Sequence, residues 1–205
     1  CFQGFLGWYM VQSGLVNNVD VSHFRLSIHL LFAFIILSLI LRNFFLLNQN
    51  KRYEVKLISF IPNFFLFLIF IQIVIGAFVS GMDAGKIYNT WPLMGNSYFP
   101  DDSKLISLFK IDALSDPSLV QFLHRNLAYL ITIVYLILFY KVLKRNINQL
   151  FKPLILLGFI ILLQIVLGIL TVLSGAGIIL ASLHQFSSIL LVSASLYFLH
   201  KNSFY

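Results

Sequence analysis

Histidines inside apolar runs are the residues of this sequence whose type and placement could do chemistry. His124 follows Gln121-Phe-Leu and precedes Arg125, at the start of one apolar run. His184 lies near the start of another such run, and His29 near the start of a third. A polar side chain is costly inside a bilayer and is usually functional there. Three histidines a few residues in from the same side therefore predict a site made of imidazole groups.

Heme iron suits two such histidines better than zinc does. Counted along the helices given below, His124 lies about 8 Å and His184 about 9 Å inside its helix. Zinc would need three or four ligands, and no Cys, Asp or Glu is at hand in these helices. Heme iron needs only two axial ligands, because the macrocycle supplies the other four. Taken singly, each histidine could instead hydrogen-bond a neighbouring helix.

Four further side chains near these runs have to be weighed. Arg125, and Arg25 in the first part of the chain, are candidates for contacts to heme propionates; the alternative is that each reaches out to a lipid phosphate. His23 stands at a loop boundary and is expected to be solvated. His200 lies at the opposite end of the last helix, far from the other histidines, and is expected to have no role.

The composition places the chain in a membrane. It has 205 residues, of which 60% are hydrophobic and 10% charged, and its mean hydropathy is +0.92. A span needs about 20 apolar residues, so there is room for five or six helices. The single cysteine, Cys1, excludes an internal disulfide. The chain begins there, without Met and within an apolar run, so we interpret it as a fragment that has lost an N-terminal part.

Six helices are predicted, which makes the fold all-α and polytopic. The first covers the end of a helix in residues 1–16; the others are 23–41, 57–80, 119–143, 153–173 and 178–199. Residues 174–177 form a tight turn, and residues 81–118 form the one long loop.

The charges orient these helices. Nine Lys and Arg residues oppose Glu54 alone on one side, whereas five bases and six acids lie on the other. Short basic loops stay in the cytoplasm or its organellar equivalent, so loop 81–118 is expected to face the periplasm or intermembrane space. The basic residues are thus explained by insertion topology, and no nucleic-acid partner is expected.

A repeat divides the chain. Gln3, Gly7, Ser13 and Gly14 recur as Gln164, Gly168, Ser174 and Gly175, all at an offset of 161, and Gln72, Gly76, Ser80 and Gly81 repeat the pattern with closer spacing. Small residues also recur wherever helices pack closely. Because histidines follow the first and last copies, a duplicated helix pair is the favoured reading.

Loop 81–118 contains a specific run from Asp83 to Met94 that includes Tyr88 and Trp91. It could be an interfacial cap or a lid over a pocket. Together with GWYMVQSGL (7–15), RLSIHL (25–30), GAFVSGMDAG (76–85), QFLHR (121–125) and SLHQ (182–185), its YNTWPLM (88–94) resembles the heme A synthase family, of the type found in mitochondria and their bacterial relatives. The resemblance covers essentially the whole chain.

The resemblance implies eight transmembrane helices in two pseudo-symmetric four-helix halves, of which this chain would hold six. Residues 1–56 would be the remainder of the N-terminal half, and 57–205 the C-terminal half-bundle. It also implies oxidation of a ring methyl of heme O to a formyl group, giving heme A for cytochrome oxidase.

The matching motifs imply which residues of this chain would have the roles of the family's site residues. His124 and His184 would be the axial ligands of heme b, and His29 would lie on the substrate-heme side. The glutamate implicated in the chemistry would lie before Cys1, so the catalytic residue is unknown; Gln121 holds its place in the second half. Other expected partners are the enzyme that supplies heme O, an unidentified electron donor and the lipid bilayer of an inner membrane, bacterial or mitochondrial; a homo-oligomer stays open.

Histidine pairs alone leave an alternative. A di-heme b-type electron-transfer protein without ring chemistry would need the same bis-imidazole iron. The motif in loop 81–118 favours the synthase. A transporter with a midplane site is disfavoured, because the histidines lie near one face and no helix carries an acid inside the membrane.

Overall fold

A computed structural model describes residues 1–12, 20–48, 57 and 60–202. In these ranges the secondary structure is helical apart from an isolated bridge between Met94 and Ser97. The α-helices are α1 (Phe2–Val11), α2 (His23–Leu47), α3 (Phe60–Gly81), α4 (Pro117–Lys144), α5 (Asn148–Leu173) and α6 (Ile178–Lys201). Five of them, α2 to α6, are long and apolar enough to cross a membrane, whereas α1 has only ten residues. The predicted all-α, polytopic membrane fold is confirmed.

Helices α3 to α6 form a closed ring. α3 packs on α4, α4 on α5, α5 on α6 and α6 on α3, so α4 and α6 stand opposite each other across the ring. Its interior is filled by large side chains that are at most 1% exposed, among them Phe65, Leu138, Leu157 and Phe198. α2 packs on the outside against α3 and α6, and α1 packs against α2.

Two helices begin earlier than predicted, each for a local reason. α4 begins at Pro117, because the Asp116 carboxylate accepts hydrogen bonds from the amides of Ser118 and Leu119 at 2.9 and 3.1 Å. Proline fits the first turn of a helix, where its missing N–H is not needed. α5 begins at Asn148 and passes through Pro153. Its buried side chains at 150, 154 and 157 continue the helical spacing across that proline.

The basic ends of the helices also differ from the prediction. α2 continues past Arg42 to Leu47, and α6 continues to Lys201. α3 begins at Phe60 rather than at residue 57. Most of the predicted basic loop, residues 49–56, lies outside the described residues, as do 13–19, 58–59 and 203–205.

The side chain that follows α6 is hydrogen-bonded to the residue that precedes α3. Asn202, which follows α6 and is 4% exposed, accepts a hydrogen bond from the Leu57 amide at 2.7 Å. Its own amide donates to the Leu57 carbonyl at 3.4 Å. This link lies at the end of the bundle opposite His29, His124 and His184 and closes the ring between α6 and α3.

The long loop covers the other end. Its first part turns through a 3-10 helix at Ala84–Lys86, which contacts α3, α4 and α5. Ala84 is fully buried and Met94 is 1% exposed. Between α5 and α6, Gly175 and Ala176 adopt positive φ of 67° and 59°, which makes the tight turn predicted for residues 174–177.

Candidate functional site

Three histidines lie at one level near the loop-covered end of the bundle. His29 is the seventh residue of α2, His184 the seventh of α6, and His124 the eighth of α4. At about 1.5 Å per residue, each lies roughly 9–11 Å inside its helix. The equal depth expected for them is therefore present in the helices as they fold.

The structure brings His124 and His184 together. Their ring centroids are 6.4 Å apart, and the ring planes cross at 79°. Two imidazoles that bind one metal with bonds of about 2 Å each have centroids roughly 6.5 Å apart. The Nδ1 atoms of both rings are buried without a hydrogen-bond partner among the described residues. An unpaired buried group of this kind costs about 1–3 kcal/mol, so each ring has a free nitrogen that a bound ligand could satisfy.

The donor set fits heme iron better than a bare metal ion. Within the described ranges, no three His, Cys, Asp or Glu side chains come together as a metal site. Two imidazoles are too few for a closed zinc site, but they are enough for an iron that already has four ring nitrogens.

His29 lies apart from this pair, against α1. The Gln3 side-chain amide is 3.3 Å from His29 Nδ1 and donates to the His29 carbonyl at 2.9 Å. Arg25, one turn earlier, lies with its guanidinium 4.1 Å above the Tyr9 ring and donates to the Tyr9 carbonyl at 3.0 Å. Both side chains thus connect α2 to α1.

Arg125 fastens the long loop to α4. Its guanidinium donates to the carbonyls of Thr90, Leu93 and Tyr88 at 2.9, 3.2 and 3.0 Å. Its Nε is buried and has no partner in the described part of the chain. Arginine has five N–H donors, and carboxylates bind two of them at once. The contacts to the loop therefore leave donors that a carboxylate could use.

Further contacts hold the same loop over the start of α4. Gln121, 2% exposed, donates to the Tyr88 carbonyl at 3.0 Å. The Tyr98 hydroxyl donates to the Asn126 side chain at 2.5 Å, and its ring packs against Phe122 at 5.7 Å. The loop is thereby held at the level just above His124.

A small network inside the loop involves Asp102. Ser118, at the start of α4, donates to the Asp102 carboxylate at 2.6 Å, and Tyr88 is a second donor. Burial raises the pKa of Asp102, but these hydrogen bonds outweigh it and leave the pKa below its ordinary value. Burial, then the hydrogen bond to Asp102, raises the pKa of Tyr88. The carboxylate is therefore charged at neutral pH.

The two remaining histidines have other surroundings. The expectation that His23 is solvated is wrong, because its ring packs against Phe24 and Phe78 at 4.2 and 5.5 Å and its Nε2 is buried. His200 stacks on Phe45 at 5.3 Å, near the basic end of α6 and away from the other histidines.

Sequence reasoning missed what the glutamines of the repeat do. The Gln72 amide lies 3.2 Å from His124 Nε2 and donates to the His124 carbonyl at 3.1 Å. Gln164 donates to the His184 carbonyl at 3.2 Å. The signal was present, because a glutamine stands four residues before a glycine in every copy of the repeat. The repeat was interpreted as a duplicated helix pair, without a contact between its glutamines and the histidines.

Comparisons with known proteins point the same way. The model of the COX15-CtaA family, described as a cytochrome oxidase assembly protein, matches residues 1–196. The heme A synthase of Pelagibacter ubique (strain HTCC1062) is 47% identical over 203 residues, which cover 99% of this chain and 60% of that relative. The heme A synthase of Rickettsia prowazekii (strain Madrid E) is 41% identical over 99% of this chain and 62% of its own length. That of Wolbachia pipientis subsp. Culex pipiens (strain wPip) is 39% identical over 95% and 58%. The chain thus spans about 60% of the length of such relatives.

Proposed function

We propose that this chain, which belongs to the COX15-CtaA family of cytochrome oxidase assembly proteins, acts in heme A synthesis as an oxidoreductase. The reaction is the oxidation of a ring methyl of heme O to a formyl group, which gives heme A for cytochrome oxidase. The His124–His184 pair carries the heme site of this proposal, because its ring separation of 6.4 Å fits one iron bound from both sides. The loop motif at 88–94 favours ring oxidation over electron transfer alone. The relatives named heme A synthase support it.

His124 and His184 are the residues that would hold heme b. His124 is on α4 and His184 is on α6, which are opposite members of the four-helix ring. Both helices begin at the loop-covered end, so the two imidazoles lie at the same level. When bound, heme b would supply an iron that accepts and gives back one electron. A heme held between these two apolar helices would be shielded from bulk water at this level of the bundle.

Arg125 and Arg25 are the candidates for the heme propionates. The unpartnered Nε of Arg125 and its position one residue after His124 suit a carboxylate at the outer edge of the ring. Arg25 lies one turn before His29 in the same way, on the side of the substrate heme. The arrangement would hold each heme with its polar edge toward the loop.

The catalytic acid is not assigned to any residue of this chain. Gln121 holds the position where the first half of the family has a glutamate, and an amide cannot exchange a proton as a carboxyl group does. Its role here is to hold the loop through the Tyr88 carbonyl. His29, with Gln3 beside it, would serve the substrate heme.

The membrane and the partners complete the proposal. The protein is a multi-pass protein of an inner membrane with loop 81–118 on the periplasmic or intermembrane side, because the basic residues gather at the other end. It takes heme O from the enzyme that makes it and electrons from a donor protein. Residues 1–56 are the remainder of the N-terminal half-bundle, and residues 57–205 are the C-terminal four-helix half-bundle.

Chromatography of extracted hemes tests the reaction. Cells that lack the complete gene should accumulate heme O and contain no heme A, and the full-length gene should restore heme A. The same gene carrying His124→Ala should fail to restore it, whereas His200→Ala should restore it fully. Heme A in the cells without the gene would refute the proposal, and unchanged heme O would favour an electron-transfer protein.

A further inference from the structure

The three histidines share one construction on the neighbouring helix. In each case the preceding helix carries a glutamine and, four residues later, a glycine, and both face the histidine. We call these two residues the glutamine–glycine pair. The three pairs, each with its histidine, are Gln3–Gly7 with His29, Gln72–Gly76 with His124, and Gln164–Gly168 with His184.

The glutamine fixes the helix turn that carries the histidine. Its amide nitrogen donates to the carbonyl of the histidine residue itself, at 2.9 Å for His29, 3.1 Å for His124 and 3.2 Å for His184. A carbonyl only accepts, so this bond also fixes which end of the glutamine amide faces the histidine. For His29 and His124 the same nitrogen is 3.3 and 3.2 Å from a ring nitrogen.

The glycine makes room for the imidazole edge. A Cβ added at Gly7, Gly76 or Gly168 would lie 3.3, 3.0 or 3.1 Å from the Cε1 atom of the facing histidine. Contacts of 3.0–3.4 Å are tighter than nearly all real Cβ contacts, so the ring would have to move. The imidazole thus lies against the backbone of the neighbouring helix, and its plane is held by that contact.

We infer that Gln72–Gly76 and Gln164–Gly168 are positioning residues that set the orientation of the two imidazoles that bind heme b. This inference rests on the function proposed above. The glutamine prevents the turn that carries the histidine from rotating, and the glycine determines how close the ring comes to the neighbouring helix. Partners behind a metal ligand commonly contribute about 10–100-fold to metal affinity. The pair on α1 holds His29 in the same manner.

Four substitutions in the complete protein test this role. Gly76→Ala and Gly168→Ala should displace the rings, and Gln72→Met and Gln164→Met should remove the amide at nearly constant size. Each should weaken heme retention by about 10–100-fold. Each should also shift the midpoint potential and the electron paramagnetic resonance g values of the low-spin heme, which depend on the angle between the imidazole planes.

Two other glycines provide matched controls. A Cβ at Gly4 would meet no described atom within 4 Å, so Gly4→Ala should leave every readout unchanged. Gly158 is on the same helix as Gly168 but away from the histidines. A Cβ added at Gly158 would collide with the hydroxyl of Tyr135, which belongs to α4. Gly158→Ala should therefore lower stability while the g values of any bound heme stay those of the unaltered protein.

The outcomes separate this inference from the proposed function. A complete protein that shows no bis-histidine heme at all overturns both. If that heme is present and the four variants keep its retention, potential and g values, only the positioning role is wrong. The role is equally wrong if Gly158→Ala changes the g values as much as Gly76→Ala does.

Discussion

Among single residues, His124 and His184 are set apart because each has a buried ring nitrogen without a partner in the described part of the chain and because their ring centroids lie 6.4 Å apart. Replacing either by alanine in the complete protein should abolish the bis-histidine spectrum of heme b, since one imidazole alone cannot supply both axial bonds. Reduced-minus-oxidised absorption spectra of the purified protein measure this directly.

The other histidines serve as controls for that experiment. His200→Ala should leave the spectrum intact, because its ring stacks on Phe45 near the opposite end of α6. His29→Ala should spare heme b and impair handling of the substrate heme. Survival of the b-type spectrum in both His124→Ala and His184→Ala would contradict the assignment of the axial ligands.

Asp102 gives a prediction that depends on pH. Its folded-state pKa lies below the ordinary value, so its contribution to stability is present above the unfolded-state pKa of about 3.9 and is lost as the pH falls through the folded-state value. Asp102→Ala also leaves the buried Ser118 hydroxyl without its acceptor. Because the Asp102 carboxylate is exposed and screened by water, we expect a loss of only about 1 kcal/mol at pH 7.

Thermal unfolding of the purified protein across pH measures this loss. The difference in midpoint between the unaltered protein and Asp102→Ala should narrow as the pH falls below about 4. Asp112→Ala is the matched control, because Asp112 is an exposed aspartate of the same loop, and we expect it to leave the midpoint unchanged at every pH. A difference for Asp102→Ala that stays constant down to low pH would mean that the charge of this carboxylate does not contribute.

How much the sequence revealed of these residues depended on the kind of interaction. The depth of His124 and His184 follows from their distance in residues from the helix start at about 1.5 Å per residue, so it could be predicted. The hydrogen bonds of Gln72 and Arg125 could not, because their acceptors are backbone carbonyls, which every residue has and no motif marks. The burial of His23 likewise depends on Phe78 of another helix.

At the scale of elements, the segment from Asp83 to Met94 is fastened between α4 and the turn that joins α5 to α6. Arg125 holds its carbonyls, and Gly85 lies so near Ala176 that an added Cβ would be 3.1 Å from the Ala176 Cβ. Trp91→Ala should therefore lower heme A production severalfold while the protein stays folded in the membrane, because the segment is proposed to cap the heme level.

Heme A content per amount of membrane-inserted protein measures this effect. Phe109→Ala is the control, because Phe109 belongs to the same loop, lies outside the capping segment and is 84% exposed. Normal heme A levels with Trp91→Ala would mean that the segment only connects α3 to α4 and does not cap the heme.

Helix ends were harder to predict than helix existence. The apolar runs of α2 to α6 are long enough that sequence alone locates them. Their ends are set by local competition: Asp116 adds two residues to α4 by capping it, and Pro153 did not stop α5 because buried leucines on both sides keep the helix in place. Neither outcome follows from hydropathy.

For the whole molecule, the charge distribution predicts an orientation in the membrane. A reporter fused after Asn48 or Asn146 should be cytoplasmic, and one inserted near Asp101 should be on the outer side, because short loops rich in Lys and Arg stay inside. Paired alkaline phosphatase and fluorescent protein fusions read the two sides independently. The opposite pattern would move His29, His124 and His184 to the inner face and would contradict the proposed localisation.

The link between Asn202 and Leu57 also determines when the ring can close during synthesis of the protein. The two residues are 145 positions apart, so the Leu57 amide cannot reach this partner until the end of α6 has left the ribosome. At about 5–20 residues per second, that takes roughly 7–29 s after residue 57 is made. Closure of the ring is therefore a late event of biosynthesis, and the newly inserted α3 and α4 must persist in the membrane as an open intermediate until then.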